Sequence, residues 1–357
     1  MDIKDILTHA VETQASDVIL VPGLPVSYKI SGGMKRNEEE RLSTEDTLAI
    51  VKDMYAHAAN RSMDRMLEDG DDDFSFSLPG LARFRVNVFK QRSSLASVVR
   101  IVSFALPDKD ALMIPDNVLM FAGYTRGLVL VTGPAGSGKS TTLACVIDAI
   151  NTARNVHIIT IEDPIEYLHH HKKGAVTQRE IETDTRSYTS ALRSALRQAP
   201  DVILLGEMRD YEAIKAAVTA AETGHLVIST LHTTGAVNTV DRIIDSFPPE
   251  QQQQIRIQLS MVLQGIVSQQ LVPAVDGNEV PAFEVVVCNN AIRNMIRESN
   301  IHQMESTIYS SASEGMITMD TSLLNLVKEN RITPEAAVHA AMNKEQMQKR
   351  LGTNIQL

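Results

Sequence analysis

The segment GPAGSGKS, Gly133–Ser140, constrains this chain more than any other stretch of it. It fits G-x-x-x-x-G-K-[ST], follows the apolar run GLVLVT and opens the run STTLACVIDAI, so a strand, a glycine loop and a helix are expected in that order. Glycines in such a loop let backbone N–H groups converge on phosphate oxygens, and the helix N-terminus adds the positive end of its dipole. Gly133, Gly136, Ser137, Gly138, Lys139, Ser140 and Thr141 are therefore the expected nucleotide-binding residues. Lys139 can reach the β- and γ-phosphates, and the Ser140 hydroxyl can ligate Mg²⁺.

A phosphate loop alone does not separate a GTPase, a kinase and a motor. A guanine-reading NKxD segment is missing, because the nearest string, NKEQ at Asn343, lacks the aspartate. Two acidic segments follow instead. IEDPIEY, Ile161–Tyr167, brings Glu162, Asp163 and Glu166 to the end of an expected strand. Hydrolysis needs a carboxylate to orient or deprotonate water, and Mg²⁺ needs oxygen ligands, although by itself the cluster reads equally as an acidic turn. DVILLGEMRD, Asp201–Asp210, has the shape of a Walker B strand with Gly206 where aspartate is usual, which leaves Glu207 as the carboxylate for the Mg²⁺ shell, through water. TGHLVISTLHTTGA, Thr223–Ala236, sets His225 and His232 on either side of a further strand. A lone buried histidine is commonly a satisfied core residue; two bracketing a strand beside the loop point to function.

From about Arg126, apolar strands (Gly127–Thr132, His157–Ile161, Val202–Leu205, Leu226–Thr230) alternate with helical stretches at Ser140–Asn151, Ser187–Gln198 and Tyr211–Glu222. That alternation predicts an α/β domain with both sheet faces covered. The first hundred residues read as a smaller α+β domain. Ile3, Ile6, Leu7, Ala10 and Val11 have helical spacing, Ser43 with Asp46 forms a capping-box signature, and Leu48, Val51, Tyr55 and Ala58 form a helix face behind it. In Ala82–Phe89, Phe84, Val86 and Val88 alternate with Arg83, Arg85 and Asn87, and a last strand covers Leu95–Val102. The expected division is 1–106, a linker at 107–118 broken by Pro107 and Pro115, an ATPase core at 119–290 and a mostly helical region at 291–357. In the last of these, Thr333 with Pro334 reads as a helix start.

Lysine plus arginine is 34 and aspartate plus glutamate 44, a net charge of −10, which argues against nucleic acid as the main substrate. Cys145 and Cys288 sit in apolar runs and read as buried thiols; two cysteines cannot supply a CxxC…CxxC zinc site. No run approaches the eighteen apolar residues of a membrane span, and the N-terminus has no leader pattern, so a cytoplasmic protein without direct membrane insertion is expected. Glu68–Asp73 reads as a solvated acidic turn before a strand, or as charge that meets a basic partner, and His169–His171 as a surface loop rather than a metal site.

The segments GPAGSGKST, IEDPIEY, GEMRD and TGHLVISTLHT, in that order, resemble the Walker A, Asp box, Walker B and His box of secretion-superfamily ATPases. ARFRVNVF at Ala82, DRIIDSFP at Asp241 and AIRNMIRE at Ala291 extend the resemblance over nearly the whole chain. AIRNMIRE, the short length and the missing tetracysteine site favour the pilus-retraction branch over pilus-extension and type II secretion relatives. Ala135 stands where the family has threonine, at a position whose backbone makes the contacts.

The resemblance implies a RecA-like P-loop NTPase domain preceded by a PAS-like α+β domain and followed by a helical C-terminal region. It implies ATP and Mg²⁺ as cofactors, a ring-shaped homohexamer, and a cytoplasmic location at the inner membrane through a pilus platform protein. Carried over residue by residue, Glu166 is the general base, Glu207 the Mg²⁺-shell carboxylate, and His225 and His232 sense or position the γ-phosphate. Arg85 and Arg100, with Arg83 a weaker candidate, supply guanidinium groups to the transferring phosphoryl. The expected activity is ATP hydrolysis that drives pilus retraction. An accessory ATPase with weak turnover of its own and a nucleotide-gated adaptor are the alternatives. AIRNMIRE places Ile292, Met295 and Ile296 on one helix face, and Arg293 and Arg297 on another.

Overall fold

The computed structural model describes residues 2–30, 33–36, 40–59, 61–102, 106 and 108–352. Pro107, in the expected linker, lies outside them. The chain divides into two compact units, residues 1–105 with 166–168, and residues 106–165 with 169–357.

The first unit is an antiparallel sheet of β1 (Asp17–Leu20), β2 (Ser27–Ile30), β3 (Gly33–Arg36), β4 (Asp71–Leu78), β5 (Ala82–Gln91) and β6 (Ser94–Val102) in the order β3-β2-β1-β6-β5-β4. The alternation read in the sequence is present: Phe84, Val86 and Val88 are fully buried and share one core with helices Ile3–Glu12 and Thr44–His57. Both halves of the Ser43–Asp46 capping box form. Leu48, expected on the inward face of that helix, is 39% exposed. The buried stripe is Thr47, Ile50, Val51, Met54 and Tyr55, displaced round the helix because a threonine, read as polar, is part of it.

A second expectation also fails. Glu68–Asp73 is not one solvated turn, since a helix ends at Asp69 and β4 begins at Asp71. Asp72 is completely buried, and its carboxylate accepts two hydrogen bonds from the Arg61 guanidinium at 2.9 Å each and one from the Tyr55 hydroxyl at 3.0 Å. A carboxylate desolvated this far persists only when paired, so Asp72 anchors the domain and offers no charge to a partner.

In the second unit seven strands run in the order β13-β12-β7-β11-β10-β8-β9. They are β7 (Gly127–Thr132), β8 (His157–Glu162), β9 (Ala175–Glu180), β10 (Val202–Leu205), β11 (Leu226–Leu231), β12 (Leu263–Pro273) and β13 (Glu279–Val287). All pairs are parallel except β12 with β13. Alternate residues of β7 serve opposite faces. Val129 and Val131 join Leu143, Val146, Ile147 and Ile150 of the Lys139–Ala153 helix. Leu128 and Leu130 join the helices Tyr188–Ala195, Tyr211–Glu222, Ala236–Asp245 and Pro249–Val262. Such double coverage is why these strands read as unbroken apolar runs.

Three strands of this sheet were not legible in the sequence, each for a physical reason. The Pro249–Val262 helix passes into β12 at Leu263 with no turn residue between them. β13 contains Pro281, which reads as a strand breaker but is tolerated at a sheet edge. β9, AVTQRE, lies at the other edge and is too polar to show a pattern.

Beyond β13, helices Asn290–Arg297, Met304–Ser310, Met319–Lys328, Pro334–Ala340 and Lys344–Leu351 follow. The Thr333 hydroxyl accepts from the Ala336 N–H at 3.2 Å, with Pro334 in the first turn, as expected. Cys145 and Cys288 are both buried, as their apolar surroundings predict. Among the described residues, no helix is long and apolar enough to cross a membrane.

Candidate nucleotide site

Because β7, β8, β10 and β11 are parallel, their C-terminal ends share one edge, and the segments that follow them meet there. The loop after β7 has Gly133 at φ 147° and Gly138 at φ 84°, both unfavourable for a residue with a β-carbon, and Gly138 caps the Lys139–Ala153 helix. The Ser137 hydroxyl is buried and, among the described residues, has no hydrogen-bond partner. An orphaned donor inside a glycine cradle at a helix N-terminus fits a phosphate group. Ser140 and Thr141 are half-buried in the first turn.

The Lys139 ammonium donates to the carbonyls of Gly133 at 2.9 Å and Pro134 at 2.8 Å, and lies 3.5 Å from His232 Nδ1. An ammonium has no lone pair, so Nδ1 is the acceptor and the imidazole proton sits on Nε2. Nε2 faces Glu207 Oε1 at 3.3 Å. The other Glu207 oxygen accepts from Arg209 Nε at 2.7 Å, and Arg209 reaches Asp163 at 3.4 Å. Four segments that are distant in sequence are thus linked: the phosphate loop, the strand end after β8, the GEMRD turn and the loop after β11.

Glycine at 206 has a steric reason. A β-carbon there would stand 3.1 Å from the Tyr188 hydroxyl oxygen and 3.2 Å from the Ile161 carbonyl oxygen. The turn is held by Thr230 Oγ1, which donates to the Gly206 carbonyl at 2.6 Å, and by Ser229 Oγ, which donates to the Leu205 carbonyl at 2.7 Å. Glu207, with a side chain 20% exposed, and Ser140 supply hard oxygen donors of the kind Mg²⁺ takes. Glu166 is exposed in the loop after β8.

His225 is not at this edge. It precedes β11, whereas His232 follows it, and the six-residue strand between them separates the two by roughly 20 Å at about 3.3 Å per residue. The His225 carbonyl accepts from Gly127 N–H, at the start of β7, and its ring Nδ1 lies 3.1 Å from the Ala220 carbonyl oxygen. It closes the end of the Tyr211–Glu222 helix. Bracketing a strand was a misleading signal, because only one end of a parallel strand faces the phosphate loop.

In the first unit, Arg85 and Arg100 are cross-strand neighbours in register on β5 and β6. With Asp17, Asp73, Asn87 and Val98 they line a concavity of about 200 Å³. Arg100 donates from Nε to Asp17 at 2.9 Å. Arg83 is half-buried and reaches Ser77 Oγ at 3.4 Å. His169–His171 lies in a loop, with His171 Nδ1 accepting from the Val176 N–H, and burial pushes the His169 imidazole down to about 4. Sequence reasoning missed Arg209, although it stands two residues after Glu207 in GEMRD, and Gln269, which carries no motif signal.

A largely parallel sheet with a phosphate loop after the inner strand β7, and with carboxylates after β8 and β10 at the same edge, defines a P-loop ATPase. The chain belongs to the type II/IV secretion system protein family, whose profile matches residues 1–353. It is 44% identical over 337 residues to the type IV pilus retraction ATPase PilT of Pseudomonas aeruginosa, covering 94% of this chain and 97% of that one. It is 38% identical over 339 residues to the type IV pilus ATPase PilU of the same organism, covering 95% and 88%. A crystal structure of the pilus retraction motor PilT with bound ADP superposes with a TM-score of 0.89 at 45% identity, covering 98% of this chain and 99% of the other.

Proposed function

We propose that this protein hydrolyses ATP to drive type IV pilus retraction. The observation that carries the reading is the contact chain Lys139–His232–Glu207, in a chain similar along nearly its whole length to a retraction ATPase. ATP would lie with its phosphates in the Gly133–Ser140 loop. Mg²⁺, held by Ser140 directly and by Glu207 through water, would neutralise phosphate charge. Glu166 acts as general base on the attacking water, and His232 holds Glu207 and Lys139 in register at the γ-phosphate. Arg85 and Arg100 lie in the other unit, which motivates a homohexamer in which a neighbouring subunit supplies them. The ring would sit at the cytoplasmic face of the inner membrane through a platform protein. A fully active monomer would sink this assembly.

Steady-state Mg²⁺-ATPase activity of the wild type beside Lys139→Ala and Glu166→Gln tests the site. Turnover by the wild type, with Glu166→Gln binding ATP but stalling, is the expected result; equal rates in all three would withdraw it. A match to a second type IV pilus ATPase, PilU, leaves room for a second reading, in which this chain is an accessory pilus ATPase with weak turnover of its own. Complementation of a retraction-deficient strain decides between them, since only a primary motor restores retraction unaided.

A further inference from the structure

Gln269 lies on β12, one position beyond Ser268, which is in register with Thr132 at the end of β7. It is 4% exposed and meets the phosphate loop at three places. A β-carbon on Gly133 would collide with its main-chain carbonyl oxygen. A β-carbon on Gly138 would stand 2.9 Å from its side-chain amide nitrogen. Its Oε1 accepts a hydrogen bond at 2.7 Å from the Thr142 hydroxyl, in the first turn of the helix that the loop opens. One residue therefore backs the first glycine of the loop, the last glycine of the loop and the start of the helix.

The side-chain type matters. Thr142 is 1% exposed and its hydroxyl bonds Gln269 Oε1, and an aliphatic residue at 269 would remove that acceptor. A lysine offers no acceptor. A glutamate would accept the bond but would place negative charge against a loop that receives a polyphosphate. A carboxamide is neutral and presents an acceptor to Thr142 and an N–H group toward Gly138.

We propose that Gln269 is a positioning residue for nucleotide binding, holding the curvature of the phosphate loop before the nucleotide arrives. It touches no reacting atom. Its contribution is to affinity, because a loop already shaped for phosphate loses less freedom on binding. The inference rests on the reading of Gly133–Ser140 as the ATP site.

The test measures ADP affinity, KM for ATP and kcat on the full chain, for wild type, Gln269→Ala, Gln269→Glu, Thr142→Val and the double variant Gln269→Ala/Thr142→Val. Gln269→Ala is expected to weaken ADP binding and raise KM by about tenfold each, with kcat changed far less. The double variant should lose little more than Gln269→Ala, because the two groups act as a pair. Gln269→Glu keeps the acceptor for Thr142 and reports added charge only; Thr142→Val, which removes the donor at nearly constant volume, should weaken ADP binding as Gln269→Ala does. Wild-type ADP affinity in Thr142→Val overturns the proposal even if Gln269→Ala fails to fold. A fall in kcat at unchanged ADP affinity and KM overturns it too. Lys139→Ala in the same assay checks the underlying site: undiminished ADP binding there removes the nucleotide reading, and this inference with it.

Discussion

In the parallel sheet the charged groups gather where strands end, and each is already engaged by another: Lys139 with His232, His232 with Glu207, Glu207 with Arg209, Arg209 with Asp163. In the antiparallel sheet Arg85 and Arg100 stand mid-strand, directly opposite one another. Like charges in that relation repel, and only Arg100 has an ion-pair partner, Asp17, while Arg85 makes no hydrogen bond or ion pair among the described residues. The first arrangement is a site assembled from one unit's own side chains. The second is a concave face on which Arg85 and Arg100 stand beside Asp17 and Asp73, with only Arg100 ion-paired.

The comparison breaks most visibly at Arg85. Arg85→Ala should lower ATP turnover by about 10³-fold while leaving ADP affinity near wild type, since a guanidinium finger acts on the transition state. Unchanged turnover would make the arginine a solvated strand residue. His232→Ala should cost about 10²-fold in turnover, by separating Lys139 from Glu207, and the oligomer size recorded alongside should not change.

A smaller effect concerns stability. The Arg293 guanidinium donates to the carbonyls of Ser260 and Met261 at 2.8 and 2.9 Å and to Gln264 Oε1 at 2.9 Å, whereas Arg297 is exposed beside Asn294. Arg293→Ala should therefore lose about 2 kcal/mol in denaturant titrations and Arg297→Ala almost nothing. If only Arg297→Ala also abolishes retraction in cells, the outward arginine of AIRNMIRE has a role beyond the fold.

The smallest effect is a pH dependence. Glu284 is buried on β13, accepts from the Ala236 N–H at 2.7 Å, and burial raises its carboxyl above the ordinary range. A carboxyl raised in the folded state favours folding below its unfolded pKa, and that contribution is lost as pH climbs through the folded value. Glu284→Gln stays neutral, so its melting temperature relative to wild type should rise as pH climbs above the unfolded glutamate value of about 4.3. A flat difference would show that the Ala236 and Met319 N–H groups fully offset the buried charge.

Where one local rule governed, the sequence was sufficient. The phosphate loop, the Walker B turn and the β5 alternation each follow from spacing within ten residues or fewer, and the capping box at Ser43 from four. Position at one end of a sheet or the other is a different kind of fact. His225 and His232 look equivalent in sequence, and only strand direction separates them. Asp72 looked solvated because its partners, Arg61 and Tyr55, come from segments with no visible link to it. Gln269 was invisible because what it does is set by glycines more than a hundred residues earlier.

The junction at Leu263 has a mechanical consequence. Helix becomes strand across a single residue, at φ −66° and ψ 123°, with Val262 and Leu263 both buried. A joint of that kind would ordinarily be a pivot. Here Arg293 bolts it, gripping the last turn of the helix through two carbonyls and the first turn-free stretch of the strand through Gln264. The Pro249–Val262 helix and β12 are thus tied together at the bend, and five residues past Gln264 that same strand presents Gln269 to the phosphate loop. Loss of the Arg293 side chain would remove all three of those ties at once.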